Sequence, residues 1–331
     1  MRRMMSFSTK GRQLRVQLGR TAVATVLPNR GKPDASNLRA CHDARFGFEF
    51  PSAQRVETQR IQAMKRILTS ICALLALCTL SLSAAEGGKK LLVVTVTKGF
   101  RHSSIETAEK ILGQLATDKN GFTVDYVRND SDMASKMTAD ALKQYDGFIF
   151  ANTTGVLPLP DKKAFLNEIK NGKAFVGMHS ASDTFHAANT NDVDPYIEML
   201  GGEFQGHDKQ VGVECLVQDR QHPATRHLGE SYCVEQEEIY LMKHYNADRK
   251  NHELLVLDKN PNNKKQLGHF PVAWCKEFGS GKVFYTSLGH REDVWENKRY
   301  QQHILGGIRW ALGLEKADAS PSAKPATVAA R

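Results

Sequence analysis

Four short apolar segments, alternating with stretches of helical period, constrain this chain more than any other feature. "KKLLVVTVTKGFRH" carries a continuous apolar run at 91–96, the pattern of a strand buried on both faces. Ser103 and Ser104 then cap "IETAEKILGQLATD", whose Ile105, Ala108, Ile111, Leu112 and Leu115 share one helix face. "FTVDYVR" alternates as a strand, and "TADALKQYD" reads as a short helix with Thr138 at its N-cap. "GFIFANTTG" is a second buried strand running into a polar loop. "LPDKKAFLNEIKNG" is a helix with Pro160 near its start and Gly172 at its end, and "KAFVGMHS" is the fourth strand. Strands alternating with helices predict an α/β fold with a mostly parallel central sheet covered on both faces. Ligands of such sheets bind beyond the C-terminal strand ends, where "KGFRH", "ANTTG" and "HSASD" all fall.

The texture changes after a helix at "VDPYIEMLGG". "QVGVECLVQ", "YCVEQEEIYLM" and "ELLVLD" are β-rich, and "FPVAWCKEFGSGKVFYTSLGH" reads as a hairpin turning at 279–281. "RYQQHILGGIRWALGL" closes the domain as an amphipathic helix. The tail, 315–331, is poor in bulky apolar residues and is expected to be disordered.

The formal charge of +9 over 331 residues suggests nucleic acid until it is located. Residues 1–63 hold twelve Lys/Arg and four acids, so they account for +8 of it. The rest is nearly neutral, which argues against a nucleic-acid partner. At Met64 begins "MKRILTSICALLALCTLSLSAAEGG": a basic pair, an apolar run, and small residues ending at Ala85. That is the pattern of a secretory signal peptide, and it predicts a secreted or periplasmic protein. The apolar run is shorter than the roughly 20 residues that span a bilayer, so no stable membrane anchor is expected. Residues 1–63 then read as a start-site artefact, with a disordered basic extension as the alternative, and 86–314 as the domain. Cys215, Cys233 and Cys275 remain in it, too few for a disulfide framework.

His102, His179, His207 and His290 each close an expected element beside Gly or Ser. One such histidine is more often structural than catalytic; four at like positions point to a site. Asp183, four residues after His179, shares its face if a helix starts at the turn, or else caps it. Glu238 in "EQEEIY" is either a site carboxylate or a solvated edge residue. Arg101, Asn152, Thr153, Ser180 and Tyr240 are the candidates for substrate contact. His222, before a proline, reads as a turn residue. HExxH, GxSxG, Walker and GxGxxG signatures are all absent.

Together "VTVTKGFRHSSIE", "FANTTG", "FVGMHSASDT", "MLGGEFQGH", "EEIY", "FPVAW", "GKVFYTSLGH" and "GGIRWALG" resemble the trehalose-utilisation (ThuA-like) family, in the family's order, over about 91–314. The resemblance implies a class I glutamine-amidotransferase-like fold, a flavodoxin-like three-layer sandwich, here with an added β-rich C-terminal part. Amidotransferases of that fold present a cysteine at the turn after the fourth strand. This chain has His179 there, so a thioester route is not expected. Glu237 stands where the family pattern leads one to expect an aspartate.

The resemblance also implies sugar catabolism, with a small carbohydrate, a disaccharide or keto-sugar, as the partner. A 3-keto group acidifies the proton at C2, so a base, an enolate donor and an acid for the leaving group would suffice for elimination. On that reading His179 is the base or enolate donor, Asp183 orients a histidine, and Glu238 or His290 is the acid, with His102 and His207 completing the cluster. Three alternatives stand beside it. Asp183 and Glu238 could serve as a glycosidase pair. His179, His207 and His290 could hold a divalent metal. A non-catalytic sugar-binding module would call for stacked tryptophans, whereas Trp274, Trp295 and Trp310 read as core or lid residues.

Overall fold

The computed structural model describes residues 88–186 and 192–322; the expected extension and export signal lie outside the described residues. The run at 91–96 supplies β1 (Lys89–Val94), whose last four side chains are fully buried. Their alternation separates two apolar clusters. Leu91 and Val93 pack with α1 (Ile105–Leu115) and α7 (Lys298–Ala311). Leu92 and Val94 pack with α2 (Asp130–Lys136), α3 (Ala139–Leu142), α4 (Lys162–Lys170) and α5 (Pro195–Leu200). Thr138 caps α3 as expected, its side chain accepting the Ala141 N–H. α6 (Glu292–Glu296) is a short helix before α7.

One nine-stranded sheet carries the domain, in the order β2-β1-β3-β4-β11-β10-β9-β6-β7. Its parallel half joins β2 (Phe122–Val127), β1, β3 (Gly147–Ala151), β4 (Ala174–Met178) and β11 (Gly281–Thr286). Its antiparallel half continues through β10 (Leu267–Phe278), β9 (His252–Lys259), β6 (Val211–Val217) and β7 (Ser231–Glu237). The sheet is thus mixed in equal parts rather than mostly parallel. The hairpin pattern of 270–288 announces the β10–β11 pairing, but nothing local to it shows that β11 also lies parallel to β4. Pro271, which has no N–H to give a ladder, sits between two register shifts of β10. A separate antiparallel pair, β5 (Glu203–Gly206) with β8 (Leu241–Lys243), lies beside the parallel strand ends.

The sequence assigns no structure to 315–331. Residues 315–322 lie along the domain: Glu315 pairs with Arg309 and Arg226, and Ser322 Oγ accepts the Glu253 N–H. Residues 323–331 lie outside the described residues.

Two histidines form part of this core. His222 and His303 are fully buried beside Ala224; His222 Nδ1 accepts the Ala224 N–H and His303 Nδ1–H donates to Ala224 O. Burial pushes His222 down to about 3 and His303 to about 4. The unfolded chain therefore binds more protons below pH 6.5, and stability falls on acidification from there towards those values. A His303→Asn protein, which keeps a donor for Ala224 O, should lose less stability between pH 6.5 and 5 than the parent. The difference in slope should grow from about 0.7 kcal/mol per pH unit at pH 6.5 to about 1.4 near pH 5, read from urea midpoints. Equal pH slopes would show that His303 does not contribute.

Candidate active site

Register brings the site together. Ala151↔Met178 sets Asn152 beside His179, and Met178↔Thr286 sets His179 beside Ser287. His179 then opens a 3-10 turn (His179–Asp183) with φ at +48°, the left-handed region that a side-chain-bearing residue enters at a cost of about 1–3 kcal/mol. Its side chain is wholly buried. Its Nδ1 lies 2.8 Å from Ser287 O. A carbonyl only accepts, so the proton sits on Nδ1 and Nε2 presents a lone pair.

That lone pair faces a crowd. Tyr240 Oη is 2.9 Å from His179 Nε2, His102 Nε2 and His290 Nδ1 are each 3.2 Å from it, and Glu238 Oε2 is 3.8 Å away. Glu238 Oε2 also lies 3.2 Å from His290 Nδ1, and its Oε1 lies 3.1 Å from His207 Nδ1. Burial, then His290, push His102 down to about 4. Burial, then the neighbouring His102, hold His179 well below the usual histidine range. Burial would lower His290 too, but the hydrogen bond and charge of Glu238 outweigh it and raise it. Burial keeps the Tyr240 phenol protonated, far above its ordinary range.

His102, Glu238, Tyr240 and His290 line a cavity of about 260 Å³ with Phe100, Asp183, Phe204 and His207. This is just below the usual range for ligand pockets, roughly 300–1,000 Å³. Phe100 stands exposed at its edge. Trp274, Trp295 and Trp310 are fully buried in the core, as the sequence reading has them.

All six residues assigned to catalysis gather here, in a different arrangement from the one expected. The helix that begins at the fourth-strand turn is a single 3-10 segment, and the histidine that Asp183 orients is His186. The other nitrogen of His186 lies 2.7 Å from buried Glu203, and the hydrogen bond to Asp183 raises its pKa. The metal set read from the sequence, His179, His207 and His290, is also rearranged. His102 takes the place beside His179, and His207 meets Glu238 from the cavity rim.

The substrate candidates divide. Tyr240 lines the cavity, and Arg101 is exposed with Nη1 3.4 Å from Thr95 O. Asn152, Thr153 and Ser180 are completely buried, so their polar atoms serve the frame instead. Asn152 Nδ2 donates to Ser104 Oγ and Gly289 O, Thr153 bonds Thr184, and Ser180 Oγ is 3.4 Å from His102 Nδ1. Ser104, the expected helix cap, makes no cap bond because its hydroxyl belongs to this network.

Glu237 is the residue that sequence reasoning passed over. It is fully buried, and its carboxylate accepts the N–H groups of Glu238, Gly289 and His290 at 2.8, 2.9 and 3.2 Å. One side chain thus fixes the backbone under both Glu238 and His290. Burial pushes its carboxyl up to about 7, against the opposing pull of those three donors.

Comparison with known proteins agrees with this architecture. The family model described as trehalose utilisation (ThuA) matches residues 90–311. A ThuA-like protein from Bacteroides uniformis is similar at 21% identity and a TM-score of 0.54, over 69% of this chain and 94% of that one. One from Parabacteroides merdae gives 17% and 0.56, over 71% and 93%. At such identities the likeness concerns the fold. No curated protein matches the chain by sequence.

Proposed function

The chain belongs to the trehalose-utilisation (ThuA) family, which points to sugar metabolism, and from that premise we propose an enzyme acting on keto-sugars or keto-disaccharides by proton transfer at the glycosidic bond. One observation carries the reading. Four imidazoles, two carboxylates and a phenol converge on a small, aromatic-walled cavity at the C-terminal ends of the parallel strands. Export through the 64–85 segment belongs to the same reading. So does a flavodoxin-like three-layer sandwich, which the 2-1-3-4-11 strand order and the two apolar clusters support.

The reaction is an elimination. Asp183 takes the C2 proton, acidified by the 3-keto group, and the electron pair passes into the enolate. The pair then forms the C1=C2 bond, the C1–O bond breaks, and His207 protonates the departing oxygen. His290, which lines the cavity and whose pKa Glu238 raises against the effect of burial, is the hydrogen-bond donor for the enolate oxygen. His179 is fully buried and absent from the cavity lining, so it acts by holding His290 and Tyr240 in place rather than by touching the substrate. A glycosidase pair is the weaker reading, because both oxygens of Glu238 already face histidines, where a nucleophile or acid needs one free.

Turnover of a chromogenic 3-keto-glucoside and of its parent glucoside tests the proposal. Only the keto form should react, and Asp183→Asn should cut kcat about 10²–10³-fold. Equal cleavage of the parent sugar would favour hydrolysis; binding without turnover would leave a sugar-binding module.

A further inference from the structure

We propose that His102 Nε2, His179 Nε2, His290 Nδ1 and a Glu238 oxygen hold one divalent transition-metal ion of the Zn²⁺ or Mn²⁺ kind, which a fifth ligand can approach from the cavity. The four donor atoms all lie within 4.8 Å of one another. Three separations are 3.2 Å and a fourth is 3.8 Å. A tetrahedron with metal–nitrogen bonds of about 2.0–2.1 Å has edges of about 3.3–3.4 Å, so the set is spaced as ligands are.

Hydrogen bonding alone does not account for this spacing. His179 Nε2 has a single in-plane lone pair, yet three polar atoms stand within 3.2 Å of it. One hydrogen bond satisfies that lone pair; the other close approaches need another reason, and a shared cation supplies it.

The surroundings are those of metal ligands. His179 donates its other ring N–H to a backbone carbonyl, which fixes its tautomer for metal binding. His102 Nδ1 faces Ser180 Oγ, and the second oxygen of Glu238 faces His207. Charge agrees: Glu237 and Glu238 are both buried, and among the described residues neither pairs with Lys or Arg. Three of the four ligands also line the cavity, so a sugar carbonyl or hydroxyl oxygen can add as a fifth ligand. That substrate role rests on the keto-sugar reading; the metal site itself does not.

The test is a Co²⁺ titration of the full chain after chelator treatment, read by visible absorption, with Zn²⁺ as competitor. One Co²⁺ per chain is expected, displaced by Zn²⁺. His179→Asn and Glu238→Gln should each weaken it at least about 100-fold, and His207→Gln about 10-fold. Failure to saturate, or unchanged affinity in both His179→Asn and Glu238→Gln, overturns the site. Keto-glycoside turnover undiminished by chelation overturns the substrate role. Stoichiometric Co²⁺ binding without any sugar turnover upholds the metal site and removes the keto-sugar reading instead.

Discussion

A His179→Asn protein is expected to fold normally and to lose about 10³-fold in keto-glycoside turnover. The substitution isolates one atom. Asparagine is among the side-chain-bearing residues most tolerant of left-handed backbone, so the +48° φ at the turn persists. Its amide N–H₂ takes the place of Nδ1–H opposite Ser287 O, at 2.8 Å in the parent. What disappears is Nε2, the atom around which Tyr240, His102 and His290 are arranged. Thermal melting and steady-state kinetics on the same preparation separate the two effects. Near-parental turnover in a folded His179→Asn protein would mean that the buried imidazole is only packing.

The largest loss of stability is expected at the paired glycines of α7. A Cβ on Gly306 would lie 2.1 Å from Pro223 O, and one on Gly307 would lie 2.4 Å from the Phe284 ring. Helix propensity alone favours Gly→Ala by about 1 kcal/mol. Overpacking opposes it by typically 1–3 kcal/mol, and by more where the obstacle is backbone, as it is at Gly306. Gly306→Ala should therefore be destabilised by about 3 kcal/mol, or roughly 6–12 °C in melting temperature. Gly307→Ala should lose less, since a ring has some freedom to turn. A Gly306→Ala protein more stable than the parent would show that α7 does not approach the 223–224 turn so closely.

The parallel strands and the gathering of His102, His179, His207 and His290 at one edge were legible because each strand is a short apolar run ending in polar residues. What stayed hidden was set by distant chain. β11 reads as a hairpin arm, and its second, parallel edge depends on β4, more than 100 residues earlier. His186 gave no signal because its partners, Asp183 and Glu203, meet only when the β5–β8 pair folds over the turn. Glu237 is the most instructive miss. Alternation from the inward Tyr232 and Val234 points Gln236 inward and Glu237 to solvent, where a charge run belongs. Between Val213↔Val234 and Val211↔Glu237 the register shifts, with one more residue on β7 than on β6. That bulge turns the following side chain to the other face, so a residue that reads as solvated becomes the anchor of the site.

The place of β11 in the sheet has a consequence for how the protein comes into being. Synthesis finishes β4 early and leaves its outer edge unpaired until Gly281–Thr286 follows. Only that late strand carries Ser287, which fixes the His179 tautomer, and leads on to Gly289 and His290. A nascent or truncated chain that stops short of β11 therefore holds His179 without the carbonyl that fixes its tautomer and without its His290 neighbour. The frame around His179 and His290 is thus complete only once β11 and the residues that follow it are in place.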